Sequence, residues 1–197
     1  MQASEPVKVI YYDELLKGEK TAGDKVAVIG ASGIGFDSSV FLTSSEEDFK
    51  RENFYKEWGI DLEYKNRAAL KTPQATPSDK KIYLMRRRKG KVGSDLGKTT
   101  GWIDRTFLKN KAVEMISGVS YEKIVDNKFH ILVDDKERVL EIDTLLICSG
   151  QVSNNPYLEE LENIEGLSVH SIGGAKKASK LDAKIAIKEG TDLALII

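Results

Sequence analysis

The thirteen residues Lys25-Val-Ala-Val-Ile-Gly-Ala-Ser-Gly-Ile-Gly-Phe-Asp37 decide the fold. Lys25 to Ile29 is a short apolar run that stops at a turn signal, the pattern of a buried parallel strand. It runs directly into glycines at 30, 33 and 35. From Gly33 to about Thr43 the pattern turns helical, with Ile34, Val40, Phe41 and Leu42 available for packing. In a strand-to-helix junction of this kind the first glycine permits a tight turn, and the last lets helix and strand approach closely. The amides that open the helix then face a diphosphate, aided by the helix dipole. The expected contacts are Gly30, Ser32, Gly33, Ile34 and Gly35. Ser32 stands where a second glycine is usual, so its side chain either crowds the phosphate or donates a hydrogen bond to it. The plain alternative is a Gly-rich turn without a ligand.

Outward from this junction the chain alternates strands and helices. Val7 to Tyr12 is β-rich, Tyr12 to Leu16 reads as a helical turn, and Gly18 to Asp24 as a linker. Beyond the junction, Phe49, Phe54 and Trp58 recur at near-helical spacing, and Asp61 to Lys80, with Pro73 and Pro77, is an irregular excursion. A loop of that length is more often functional or interfacial than idle. Lys81 to Met85 is the next strand, Thr100 to Lys111 a helix capped by Thr99 or Thr100, and Ala112 to Ile116 a third strand. Tyr121 to Val125, Phe129 to Val133 and Val139 to Ile142 predict an antiparallel meander turning at Asp126-Asn127 and Asp134-Asp135. Thr144 to Cys148 is a further buried strand, Val169 to Ile172 a terminal strand, and Leu181 to Ile197 a closing helix. The fold class is α/β: a Rossmann-like nucleotide-binding domain with a parallel sheet and an antiparallel meander.

In folds of this type an acid about 20 residues beyond the glycines takes the ribose hydroxyls of NAD. Glu46, Glu47, Asp48 and Glu52 fall near that spacing, but no strand leads into them, and they read as the solvated face of the inserted helix. The second strand instead ends in Arg86-Arg87-Arg88-Lys89. Guanidinium forks suit a 2′-phosphate through charge-assisted, often bidentate bonds. The expectation is NADP(H), with NADPH preferred to NADH; the bland alternative is a solvated basic loop or a nucleic-acid patch. A short-chain dehydrogenase reading fails. That family places three residues between its first two motif glycines, and here Gly30 and Gly33 are separated by two. Its Tyr followed four positions later by Lys is also absent, Tyr83 with Arg87 coming nearest.

Composition narrows the classes further. The chain has 197 residues, 41% hydrophobic and 31% charged, with net charge −1, which gives no global pull toward nucleic acid or anionic lipid. No apolar run reaches the roughly 20 residues of a membrane helix, and Met1 to Lys20 does not read as a signal peptide, so the cytoplasm is the expected compartment. One cysteine, Cys148, leaves no internal disulfide and no cysteine-ligated iron–sulfur cluster, and His130 and His170 alone make no zinc site. Cys148 reads as a buried strand residue, Trp102 as core or interface packing, and Lys98, Thr99 and Thr100 either as phosphate donors or as helix caps.

With these landmarks placed, the sequence resembles the C-terminal NADPH-binding part of the bacterial 2,4-dienoyl-CoA reductases, in the NADH:flavin oxidoreductase group. The resembling segments are the junction at 25–37, Leu96-Gly-Lys-Thr-Thr-Gly-Trp-Ile103, Gly118-Val-Ser-Tyr-Glu-Lys-Ile124, Leu146-Ile-Cys-Ser-Gly-Gln151, Ile172-Gly-Gly174, Leu181-Asp-Ala183 and Gly190. The resemblance implies a fatty acid β-oxidation enzyme in which hydride passes from NADPH to FAD, and electrons then reach FMN through an iron–sulfur cluster. It implies that FAD is bound only with a further region, and that FMN and the cluster belong to a TIM barrel outside this chain. The FAD domain and the barrel are the implied partners, with no nucleic acid and no membrane among them. Arg87 and Arg88, with Arg86 beside them, match the family's 2′-phosphate site. Asp37 matches an acid near the nicotinamide, or else is a surface carboxylate of the helix. Gly150 and Gln151 match the turn beside the dinucleotide, and Gly173 and Gly174 the FAD-contacting turn, where many relatives carry Asp at position 174.

The implied organisation is an N-terminal connector over 1–24, an NADP(H)-binding domain over 25–151, and over 152–197 a connector with the strand and helix of an FAD domain. No residue here is expected to be catalytic, and none to bind metal. The alternative is a non-catalytic, stand-alone nucleotide-binding or interaction module.

Overall fold

The computed structural model describes residues 6–179 and 181–197, which fall into two units, Met1–Ser149 and Gly150–Ile197. In chain order the first holds β1 (Lys8–Tyr11), α1 (Tyr12–Leu16), β2 (Lys25–Ile29), α2 (Gly33–Thr43), a tight turn at Glu46–Phe49 and α3 (Arg51–Glu57). There follow β3 (Lys81–Arg86), α4 (Gly101–Asn110), β4 (Glu114–Ser117), β5 (Val119–Val125), β6 (Lys128–Val133), β7 (Lys136–Glu141) and β8 (Thr144–Ile147). The second unit holds α5 (Leu158–Glu162), α6 (Gly173–Lys176) and α7 (Ala183–Ala194).

Five strands form a parallel sheet in the order β1-β8-β2-β3-β4, and β5-β6-β7 form the antiparallel meander. The alternation of side chains along each strand explains the layering. Val26, Val28, Ile82, Leu84 and Leu146 meet Phe36 and Leu42 of α2 and Leu108 of α4 on one face. Ala27, Tyr83 and Met85 meet Phe129, Ile131 and Leu140 of the meander on the other. A sheet covered on both faces needs strands that are apolar at every position, which is why Lys25–Ile29 reads as a continuous run. The meander turns where expected, with positive φ at Asp126, Asn127, Asp134 and Asp135, the backbone that primed hairpin turns require.

The β-rich stretch from Val7 to Tyr12 supplies β1, which pairs with β8 from Lys8↔Thr144 to Tyr11↔Ile147, because β8 has an open edge and Ile10 can be buried there. Two expectations are corrected. Phe41 is 53% exposed rather than packed, since α2 presents Phe36 and the small Ser38 and Ser39 to the sheet. Val169–Ile172 forms no strand; among the described residues no neighbouring strand offers it a ladder. No described helix is long and apolar enough to cross a membrane.

Candidate functional site

From β2 the chain moves outward through β3 to β4, then returns by way of the meander to β8 on the other side of β2. This reversal opens a crevice at the carboxyl ends of β2 and β8, the place where sheets of this kind take ligands. Its floor is fixed by backbone: Cys148 N donates to Ile29 O at 2.8 Å, and Gly30 N to Met85 O at 3.0 Å. Gly30 has φ +106°, and a Cβ there would lie 2.6 Å from the Cys148 carbonyl oxygen. Gly35 is required by closeness instead, because its Cβ would overlap the Gly30 carbonyl oxygen outright. The side of Gly33 is open.

The first hydrogen bond of α2 runs from Phe36 N to Ser32 O at 3.0 Å. The amides of Gly33, Ile34 and Gly35 come before it and have no partner within the helix. Ser32, at the N-cap, is exposed, and its side chain makes no capping bond. The residues present therefore fit a diphosphate: three amides and a hydroxyl at the positive end of an eleven-residue helix.

At the end of β3 the three arginines part company. Arg86 points inward and is 8% exposed. Its Nη1 donates to the Lys91 carbonyl and to Ser94 Oγ, both at 3.1 Å, and its Nη2 lies 3.6 Å from Asp95. It is a clamp on the loop 87–95, not an open phosphate ligand, because its fork is already occupied. Arg88 is exposed and reaches Asp95 at 3.7 Å, and Lys89 is held by Asp134 at 2.8 Å. Arg87, on the exposed side, makes no ion pair among the described residues. Beside it lies Tyr121, whose phenol is pushed up to about 12 by burial, only partly offset by the Arg87 charge. The residues sequence reasoning missed are Lys91, Ser94 and Asp95, the partners of Arg86. The acid that follows the basic run was the available signal. Arg86→Ala is expected to lower stability by about 1–2 kcal/mol, since it removes the hydrogen bonds by which the buried guanidinium ties down the loop, and to free the loop to proteolysis. Denaturant melts and limited trypsin digestion measure both effects.

Asp37 projects from α2 on the exposed side, and its carboxyl sits above the usual range because of partial burial, reinforced by Asp104 of α4. It lines a cleft of about 470 Å³ with Leu16, Phe41, Phe49 and Asp104. A carboxyl raised in the folded state binds its proton more tightly there than in the unfolded chain. The stability it contributes is present below the ordinary carboxylate range and is lost as pH rises through the raised value. Asp37→Asn is accordingly expected to raise Tm at neutral pH and to leave it unchanged in acid.

Cys148 is 3% exposed, with Sγ 3.6 Å from Ser38 Oγ. Burial pushes its thiol up to about 11 against a small lowering by Ser38. The thiolate is the reactive form. Cys148 is expected to resist a thiol reagent at neutral pH in the native protein and to react fully in denaturant; rapid native labelling would contradict this buried placement.

Lys98, Thr99 and Thr100 are exposed, Thr100 is the N-cap of α4 without a side-chain capping bond, and Trp102 is 58% exposed with its indole nitrogen donating to Thr99 O at 3.0 Å. Gly150 and Gln151 follow β8 along the chain and open the second unit, both exposed. There Gly173 and Gly174 begin α6, and the Gly173 amide donates to Glu189 at 2.8 Å. That amide is occupied, and the carboxylate beside it repels a phosphate, so this turn by itself does not fit FAD. Among the described residues no group of three or more His, Cys, Asp or Glu is placed to hold a metal.

The fold and crevice define a Rossmann-like α/β domain. No family model matches the chain. A metal reductase from Desulforamulus reducens is 25% identical over 179 residues, 90% of this chain and 26% of that protein. Among solved structures, a 2-naphthoyl-CoA reductase in complex with 2-naphthoyl-CoA superposes with a TM-score of 0.64 at 17% identity, over 96% of this chain and 24% of that one. Histamine dehydrogenase from Rhizobium sp. 4-9 gives 0.61 at 15% identity, over 95% and 26%. The likeness to these structures establishes a common fold, and the chain spans about a quarter of the length of each relative.

Proposed function

We propose that this chain is the NADP(H)-binding module of a flavin-dependent oxidoreductase, which orients NADPH so that its hydride is delivered to FAD. The observation that carries the reading is the pairing of three helix-opening amides at Gly33–Gly35 with the exposed Arg87, the first set suited to a diphosphate and the second to a 2′-phosphate. Oxidoreductase names among the relatives, a reductase acting with a CoA ester included, support the same reading. NADPH would supply the hydride. The chain's own residues would bind and orient: Ser32 and the α2 amides on the diphosphate, Arg87 with Arg88 on the 2′-phosphate, and the close contact of Gly30 with Cys148 shaping the floor.

The FAD domain and the barrel of a 2,4-dienoyl-CoA reductase-like enzyme are the proposed partners. Support comes from the second unit, where Gly173 is the one buried residue among those described and Val152, Tyr157, Ile187 and Leu195 to Ile197 are all more than 60% exposed. A unit without a core does not offset its ordering entropy alone, which supports a further region covering it.

Titration with NADPH and NADH, followed by tryptophan fluorescence, tests the binding half. NADPH is expected to bind about tenfold or more tightly; equal affinities would remove the 2′-phosphate assignment. Mixing the chain with an FAD-binding partner region tests the second half, with rapid flavin bleaching by NADPH expected. Nucleotide binding without bleaching would favour the stand-alone module, which the internally occupied Gly173 amide keeps as the second reading.

A further inference from the structure

The basic run at the end of β3 brings its own counter-ion. Asp95 lies on the loop between β3 and α4, and its carboxylate spans two of the three neighbouring guanidinium groups: Oδ2 is 3.6 Å from Arg86 Nη2, and Oδ1 is 3.7 Å from Arg88 Nη1. Ser94 Oγ donates to the same Oδ1 at 3.1 Å. Packing, more than these contacts, sets the position. Val92 is buried in the cluster that holds Phe36 and Leu108, and Leu96 packs against it. Gly93 has φ +80°, and a Cβ there would lie 2.7 Å from Phe36 Cζ, so loop and α2 meet closely. Anchors on both sides leave Asp95 free to turn its side chain while its backbone stays beside the arginines.

The two contacts are unequal. Arg86 is buried and keeps its bonds to the Lys91 carbonyl and Ser94 Oγ whichever way Asp95 turns. The side chains of Arg88 and Asp95 are 75% and 54% exposed, so theirs is a solvated ion pair of the kind that contributes little and exchanges easily. A phosphate monoester carries about 1.5 to 2 negative charges at neutral pH, with three acceptor oxygens, and holds a guanidinium more strongly than one exposed carboxylate does. A free 2′-hydroxyl has no charge and leaves the pair as it stands.

We propose that Asp95 is a specificity-determining residue of the nucleotide site, an internal counter-ion that holds Arg88 until a 2′-phosphate takes its place. NADPH must turn the carboxylate aside and bind near its charge, whereas NADH leaves it seated. Asp95 thus lowers the preference for NADPH that the exposed arginines supply. The inference rests on the nucleotide reading above and concerns how sharply that site selects, not whether it binds.

The test titrates the full chain, wild type and Asp95→Asn, with NADPH and NADH, which differ only in the 2′-phosphate. The amide keeps the size of the side chain and an acceptor for Ser94 but removes the charge. The variant is expected to bind NADPH about three- to tenfold more tightly and NADH within about twofold of wild type, so the selectivity ratio rises; added salt should shrink the gain. A wild type that prefers NADPH, with the same ratio in the variant, overturns the role of Asp95 and leaves the 2′-phosphate assignment standing. Equal affinities for both nucleotides in both proteins remove the two together. A preference seen only in the variant supports Asp95 as the group that masks it, whereas an equal gain for both nucleotides is a general charge effect and counts against it. Should Asp95→Asn loosen the loop, seen as faster trypsin cleavage than in wild type, the wild-type protein decides alone. Its Asp95 carboxyl and Arg88 Nε resonances are expected to shift with NADPH and not with NADH, and equal or absent shifts overturn the proposal.

Discussion

Replacing Arg87 by alanine is expected to weaken NADPH binding by about 10- to 100-fold while changing NADH affinity by less than about threefold. The asymmetry follows from how the basic run is distributed. Arg86 is locked under the loop, Arg88 leans on Asp95 and Lys89 on Asp134, which leaves Arg87 as the one cation of this basic run without an ion pair among the described residues. A hydrogen bond to a charged group contributes about 1.5–3 kcal/mol, and the two nucleotides differ only in the phosphate that Arg87 would hold. Arg87→Lys should recover part of the affinity, since the charge remains and the fork is lost. Parallel titrations of wild type, Arg87→Ala and Arg87→Lys with both nucleotides measure this. An alanine variant that binds NADPH as wild type does would move the 2′-phosphate elsewhere or dispense with it.

Gly35→Ala should abolish the native junction, costing on the order of 4 kcal/mol or more. The added methyl would occupy the space of the Gly30 carbonyl oxygen, which is backbone and cannot rotate away. Relief requires α2 to move off β2, and that lifts Phe36 and Leu42 from the face formed by Val26, Val28 and Leu84. Gly33→Ala is the internal control, because the same methyl there meets open space. Denaturation midpoints should therefore separate the two variants widely, and nucleotide affinity should be lost in the first even where some fold remains. Similar midpoints for both would show that helix and strand are not held as closely as described.

The strand, the glycine turn and the helix were legible at once, because each rests on local chemistry: an apolar run too short for a helix, glycines where the chain must bend, and small residues beyond them. The meander was legible for the same reason, its turns falling at Asp126-Asn127 and Asp134-Asp135, residues that tolerate positive φ. What sequence alone could not assign was the partner of each charge. Arg86, Arg87 and Arg88 are neighbours with one chemistry, and only the folded loop turns the first inward onto Ser94 and leaves the second facing out. Asp48 reads as part of a solvated helix face, yet it is held by Lys111, 63 positions away, and Glu57, to which the sequence drew no attention, is buried. Likewise Lys8–Tyr11 becomes a strand because β8, more than a hundred residues later, presents an open edge, whereas Val169–Ile172, no less β-prone, finds none. Backbone bends depend on a few adjacent residues, whereas ion pairing and edge pairing are settled by which distant groups the sheet brings within about 4 Å.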